Sequence, residues 1–434
     1  MAGAARTDGD LRPLDRARAI LGGSAGNLVE WYDWFAYAAF SLYFAKAFFP
    51  GGDETAQLLK TAAVFAVGFF ARPLGAWMLG VVADRAGRKT ALTLSVALMC
   101  LGSLIVAVTP GYAVIGAAAP VILTLTRLLQ GLSIGGEYGA SATYLAEMAG
   151  ARRRGLWSSF QFVTLIGGQV IALAVLIVLQ AVLTRAQLEA WGWRIPFVIG
   201  ALLAVVVFWI QTRLQETASF RAIQPSRPRR SVTWTLIRDH PRECGIIFAL
   251  SAGGSLAFYC YTTYMQTFLA NTAHFSAKTA SNISFASLVV YLLAQPAGGW
   301  LGDKLGRRTL MAAAFVIGAA GTWPVMSAIA GAQSPWLAFA LACAALLVLT
   351  GYSSMSAVVK AEFFPSEVRG LGVALPYALA NAIFGGTAEY VALSFKHAGH
   401  ESGFYLYVSA VLAVSGMVAL GMRETRHASR IVED

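Results

Sequence analysis

Long apolar runs alternate with short polar connections along the whole chain. A helix that crosses a bilayer needs roughly 20 mostly apolar residues. Twelve stretches meet that requirement: residues 20–46, 57–83, 90–110, 117–145, 156–183, 193–213, 243–270, 281–301, 309–330, 337–359, 370–396 and 403–422. The runs are continuous instead of alternating residue by residue, which reads as helices and not as barrel strands. The 43 glycines allow helices to approach closely in lipid. The pattern therefore predicts an all-α membrane protein with twelve transmembrane helices.

Composition agrees. Of 434 residues, 57% are hydrophobic and 13% charged, about half the charge of an ordinary soluble domain. A soluble enzyme and a disordered chain are both excluded. The net charge of +11 could suggest nucleic acid, but its distribution says otherwise. Twenty-five of the 33 basic residues fall in the tails and in the connections after the even-numbered runs. Basic residues stay on the cytoplasmic side, so both termini are expected inside, with the excess charge beside anionic headgroups and no nucleic-acid partner. Residues 1–19 lack the apolar core of a signal peptide and read as a retained cytoplasmic tail. Cys100, Cys244, Cys260 and Cys343 stand singly, without metal or disulfide spacing. No cofactor motif, metal cluster or nucleophile–base pair supports a membrane enzyme, and no sizeable output module supports a transporter-like sensor.

The chain repeats itself. Residues 80–89 and 299–308 both read G-x-x-x-D-[RK]-x-G-R-[RK], 219 positions apart, after the second and eighth runs. Glu147 with Arg154-Gly155 recurs as Glu362 with Arg369-Gly370, and Leu214-Gln215-Glu216-Thr217 as Met422-Arg423-Glu424-Thr425. This predicts two six-helix pseudo-symmetric halves, 20–214 and 242–422, joined by a cytoplasmic linker at 215–241 and followed by a tail at 423–434. Asp84 and Asp303 can accept hydrogen bonds from a neighbouring helix end while Arg85, Arg88 and Arg307 stay in water. The loop is then either a latch that closes the cytoplasmic side or a structural turn. Glu147, Arg154, Glu362 and Arg369 extend the same candidate gate as ion pairs.

Ionisable groups inside hydrocarbon are costly and point to function. They are few: Glu30 and Asp33 in the first run, Arg72 in the second, Arg127 and Glu137 in the fourth, Glu389 in the eleventh. Arg72-Pro73 aligns with Gln295-Pro296, so one half carries a cation where the other is neutral. That asymmetry suits an anionic substrate, which Arg grips bidentately; an ion pair with Asp33 or Glu30 is the alternative. Asp33 and Glu30, three residues apart, share a helix face and are candidates to carry a proton, with Arg127 and Glu137 beside them. No histidine lies within a run. Tyr37, Gln161, Gln169, Tyr261, Tyr264, Gln266 and Asn381 are further candidates to face a substrate.

Two parallel six-helix halves with a doubled loop motif resemble the major facilitator superfamily. Gly26-Asn27-Leu28-Val29-Glu30-Trp31-Tyr32-Asp33, residues 68–75, Gly131 to Tyr138 and residues 191–197 resemble its metabolite:proton symporter family. Residues 262–266, 381–386 and 388–394 are similar to the α-ketoglutarate carriers of that family, while Pro376 departs from the small polar residue expected there. The resemblance implies a monomeric symporter of a bacterial inner membrane. It would import a small dicarboxylate with H+ by alternating access, α-ketoglutarate first. Citrate, shikimate, another dicarboxylate or proline/betaine are the alternatives.

Overall fold

A computed structural model describes residues 13–86, 88–135, 142, 146, 153–212, 232–365, 367–426, 429 and 431. Twelve long helices form the body: α1 (Pro13–Phe48), α2 (Glu54–Ala86), α3 (Arg88–Val108), α4 (Ala118–Gly135), α5 (Arg154–Val182), α6 (Ile195–Thr212), α7 (Pro241–Tyr261, resuming as Thr263–Asn271), α8 (Ala277–Leu305), α9 (Arg307–Ala330), α10 (Pro335–Phe363), α11 (Arg369–His397) and α12 (Glu401–Gly421). Each falls on one of the twelve apolar runs, α4 on residues 118–135 of the fourth. α1 begins seven residues earlier than its run, inside the stretch read as a tail.

Helix pairing repeats between the halves. In the first, α1 packs on α5 and α6, α2 on α4, and α3 on α4 and α6; in the second, α7 packs on α11 and α12, α8 on α10, and α9 on α10 and α12. The halves meet through α5 against α8 and α2 against α11, which are exchanged by the same pseudo-two-fold. α3, α6, α9 and α12 form the outside. Large apolar side chains such as Leu104, Leu202, Ile317 and Met417 are exposed and face lipid, where apolar groups need no cover.

Without a hydrophobic force between helices in lipid, close packing holds the bundle. The α2–α4 crossing is the tightest example. A methyl group added at Gly131 would strike the Gly68 carbonyl, at Gly135 the Arg72 carbonyl, and at Gly75 the Leu132 backbone. The two backbones therefore touch at the level of Arg72, which fixes where its side chain starts. Gly298 and Gly302 of α8 instead receive side chains of α10, those of Thr350, Ser354 and Met355.

Gly135→Val forces these backbones apart, at about 1–3 kcal/mol for overpacking. It is expected to lower the apparent melting temperature of the detergent-purified protein by several degrees. Gly245→Ala, where a methyl meets nothing within 4 Å, should leave it unchanged. Equal melting of Gly135→Val and the parent would show that this crossing is not limiting.

Candidate functional site between the two halves

α2, α7 and α11 bring the site together. The Arg72 side chain leaves α2 at the α4 contact, is 3% exposed, and stacks on aromatic rings: its guanidinium carbon lies 4.0 Å from the Phe69 ring, 4.2 Å from Trp34 and 5.3 Å from Trp31. A desolvated guanidinium over aromatic faces gains about 2 kcal/mol per good contact. Its hydrogen-bonding capacity is not met. Nε and Nη2 have no acceptor among the described residues, and the groups it does face are the hydroxyls of Tyr259 and Tyr377. Asp33 is held by Gln130 instead.

Those two tyrosines line a small axial cavity with Asn381, Tyr352, Ser255, Gly254, Phe162, Leu165 and Phe258. Only about 10 Å³ of it admits a water-sized sphere, so the halves are closed around it. Both C-half helices bend there. α7 breaks at Thr262, whose hydroxyl donates to the Phe258 carbonyl. α11 stays helical through Pro376 and then forms a π-turn over Asn381–Gly385, closed by Gly386 N–H to the Asn381 carbonyl at 2.7 Å. Such a turn re-aims side chains and recurs at functional sites; here it turns Asn381 into the cavity lining.

The embedded carboxylates of α1 are held separately. Asp33 Oδ2 accepts from Gln130 Nε2 at 2.7 Å, and Gln130 Oε1 accepts from Arg127 Nη1 at 2.6 Å. The same amide also donates to Ser103. Asp33 Oδ1 has no hydrogen-bond partner among the described residues and lies against Gly200 of α6. Arg127 reaches the Trp34 carbonyl and lies 4.2 Å from the Trp34 ring, so Arg72 and Arg127 share one indole. Glu30 accepts from Ser95 at 3.1 Å, and Ser95 also meets Ser133.

Other candidates are placed less centrally. Tyr37 donates to the Thr61 carbonyl beneath Arg127. Gln169 reaches across to Thr263 at 3.5 Å, and Gln161 is buried on α5. Tyr261 donates to Thr322 of α9, and Tyr264 packs on Phe268 and Phe404; both point into the C-half and away from the axis. Gln266 donates to the Ala39 carbonyl and to Ser281. Together with Gln180 to Tyr43 and Ser281, and Asn271 to Thr55, it ties the halves at the face opposite the basic loops. Glu389 accepts from Thr267 on the same side.

The basic face is also tied. Asp303, at the end of α8, accepts from the N–H groups of Gly155 (2.9 Å) and Leu156 (3.0 Å), the orphan donors at the start of α5 in the other half. Glu362 receives Arg154 of the first half at 3.3 Å and Arg307 of its own, and Arg307 also meets Asp303. Arg369 Nε donates to the Phe364 carbonyl. Glu137 and Glu147, and the side chains of Asp84, Arg85 and Arg88, lie outside the described residues.

Sequence reasoning missed Tyr352 and Tyr377, uncharged residues whose hydroxyls in an apolar span were the available signal. It also ended the tenth run at residue 359, just before Lys360. α10 runs to Phe363, so Lys360 is 1% exposed and sits 3.9 Å from the Tyr377 ring, next to the cavity wall.

A bundle of membrane-crossing helices in two equivalent halves, closed at both faces around a polar-lined axial cavity, defines a membrane transporter. The comparisons agree. Residues 19–234 match the family described as "Sugar (and other) transporter", and residues 255–432 the "Major Facilitator Superfamily". The chain is 50% identical over 407 residues to the alpha-ketoglutarate permease of Escherichia coli, covering 93% of each. It is 32% identical to a citrate-proton symporter of Klebsiella pneumoniae, covering 93% of this chain and 91% of that one. The fold superposes on a partially occluded, inward-open xylose transporter of E. coli with a TM-score of 0.70 at 17% identity, covering 93% and 96%. The chain belongs to the major facilitator superfamily.

Asp303→Ala removes both acceptors of the α5 N-terminus, each charge-assisted bond contributing about 1.5–3 kcal/mol. With the four native cysteines replaced by Ala, a Ser255→Cys reporter in the cavity should label with an impermeant maleimide several-fold faster from the basic face. An unchanged rate would leave that face held by other contacts.

Proposed function

We propose that the chain is a proton-coupled symporter that imports a small dicarboxylate, α-ketoglutarate foremost, by alternating access around the axial cavity. The observation that carries this reading is the buried, aromatic-stacked Arg72 beside that cavity, whose Nε and Nη2 lack acceptors among the described residues. A substrate carboxylate supplies two oxygens in the spacing a guanidinium presents. Tyr259, Tyr377 and Asn381 are neutral donors for the remainder of the anion, and the names of the 50% identical permease and the 32% identical citrate-proton symporter support both an anionic cargo and a proton.

Asp33 is the proton carrier in this scheme, because one of its oxygens is unengaged and the other reports to Arg127 through Gln130. Protonation of Asp33 weakens its hold on Gln130 and frees Arg127 to shift against Trp34. Trp34 also supports Arg72, so the indole is the mechanical link between proton and anion. Glu30, tied to Ser95, stands behind it. Opening then means releasing one face at a time: Asp303 and Glu362 on the basic face, Gln266 and Gln180 on the other. The concentration of Lys and Arg on one face supports a bacterial inner-membrane orientation with both termini cytoplasmic. The site is complete within one chain, which supports a functional monomer.

Vesicles reconstituted with the protein are expected to accumulate labelled α-ketoglutarate under an imposed proton gradient, and a panel of citrate, succinate, shikimate and betaine ranks the cargo. Arg72→Gln should cut uptake at least 100-fold, the loss of a buried bidentate pair. Asp33→Asn should keep substrate exchange but lose gradient-driven accumulation. Failure to accumulate any dicarboxylate would overturn the reading, and gradient-driven uptake by Asp33→Asn would remove Asp33 as carrier.

A further inference from the structure

A second cavity lies away from the axial one and is larger. It is an open groove of about 640 Å³ on the lipid-facing side of the C-half, between the start of α9 and the end of α12. Its floor is Ala312, Ala313, Val316 and Leu420, and its mouth at the basic face carries Arg308 and Arg426. Val316 and Leu420 are about half exposed and both arginines are exposed. From Arg308 to Val316 is eight helical residues, so the groove runs about 12 Å from the charged mouth toward the hydrocarbon.

The mouth carries two cations against one carboxylate, a net positive charge. Glu424, the acid in the groove, is already engaged: its carboxylate accepts from the N–H groups of Arg307 and Arg308 at the start of α9, and from that of Arg426. Arg308 has no ion pair among the described residues. Among the described residues the Arg426 side chain donates through Nη1 to the Lys304 carbonyl, which leaves most of its guanidinium open. The internal repeat sharpens this. In the first half Lys89 stands where Arg308 does, but Ala218 stands where Arg426 does. The paired cations therefore belong to this half alone and are not a by-product of the repeated loop.

We propose that this groove binds an anionic glycerophospholipid, with the phosphate between Arg308 and Arg426 and an acyl chain along Ala313, Val316 and Leu420. Two chemistries in series, cations at the interface and an apolar wall below, select a molecule that has both. A zwitterionic lipid fits the wall but gains little from the mouth, and a soluble phosphate fits the mouth but not the wall.

The test uses the full-length protein in detergent, with native mass spectrometry reading retained lipid after exposure to equal phosphatidylglycerol and phosphatidylcholine. Phosphatidylglycerol should be retained about tenfold or more over phosphatidylcholine. The preference should vanish in Arg308→Gln/Arg426→Gln and persist in Arg308→Lys/Arg426→Lys. Glycerol 3-phosphate in millimolar excess should not displace the lipid. Equal retention of the two lipids, an unchanged preference in the glutamine variant, or displacement by glycerol 3-phosphate would each overturn the proposal. Should the glutamine variant fail to fold, the wild-type lipid preference and the displacement experiment decide alone.

Discussion

A buried guanidinium with two of its three nitrogens lacking an acceptor among the described residues is the constraint on which the rest of this structure turns. Arg72 enters hydrocarbon on α2, where an unpaired charge is costly. Three aromatic rings and two tyrosine hydroxyls receive it in place of a carboxylate. That arrangement holds the cation in position and leaves two nitrogens without an acceptor among the described residues, the place that the proposed anion fills. The glycine crossing of α2 on α4 places the residue, and the π-turn of α11 and the break in α7 bring the neutral donors to it. Had Asp33 closed the pair, the same cation would be structural and the cavity would have no charge to offer.

The two halves divide the electrostatic work. The first carries Arg72 and the Asp33–Gln130–Arg127 chain, meeting at Trp34. The second lines the cavity with neutral side chains, with Lys360 behind Tyr377, and has Gln295 in the place of Arg72, accepting from Ser353. The repeated loop does its work across the interface: Asp303 caps a helix of the opposite half, and Glu362 draws Arg154 of that half to itself. Closure at both faces is a sum of several modest contacts. A rocking motion that breaks those of one face at a time is then accessible in steps of a few kcal/mol.

Much of this was legible in the sequence because lipid imposes strong rules. Run length set the twelve helices, and a residue-by-residue repeat set the two halves, so pairing of α2 with α4 had to recur as α8 with α10. The few embedded charges announced themselves by being few. What was not legible depends on rotation about helix axes and on local bends. Tyr261, Tyr264 and Gln266 stand within six residues of one another, yet the kink at Thr262 directs them to α9, α12 and α1. Tyr352 and Tyr377 carry no charge and no motif. Lys360 looked like a loop residue because it and Glu362 interrupt the apolar run over the last four residues of the helix, 360–363.

The central claim, that Arg72 contacts a carboxylate of the cargo, is tested most directly by trimming both partners at once. Binding of α-ketoglutarate and of its monoamides is measured by calorimetry on the wild-type protein and on Arg72→Gln. The account predicts that amidation of one particular carboxylate weakens wild-type binding by about 2 kcal/mol or more and has little further effect on the variant. An equal loss on amidation in both proteins, for both carboxylates, would show that the guanidinium does not touch the substrate and would contradict the account.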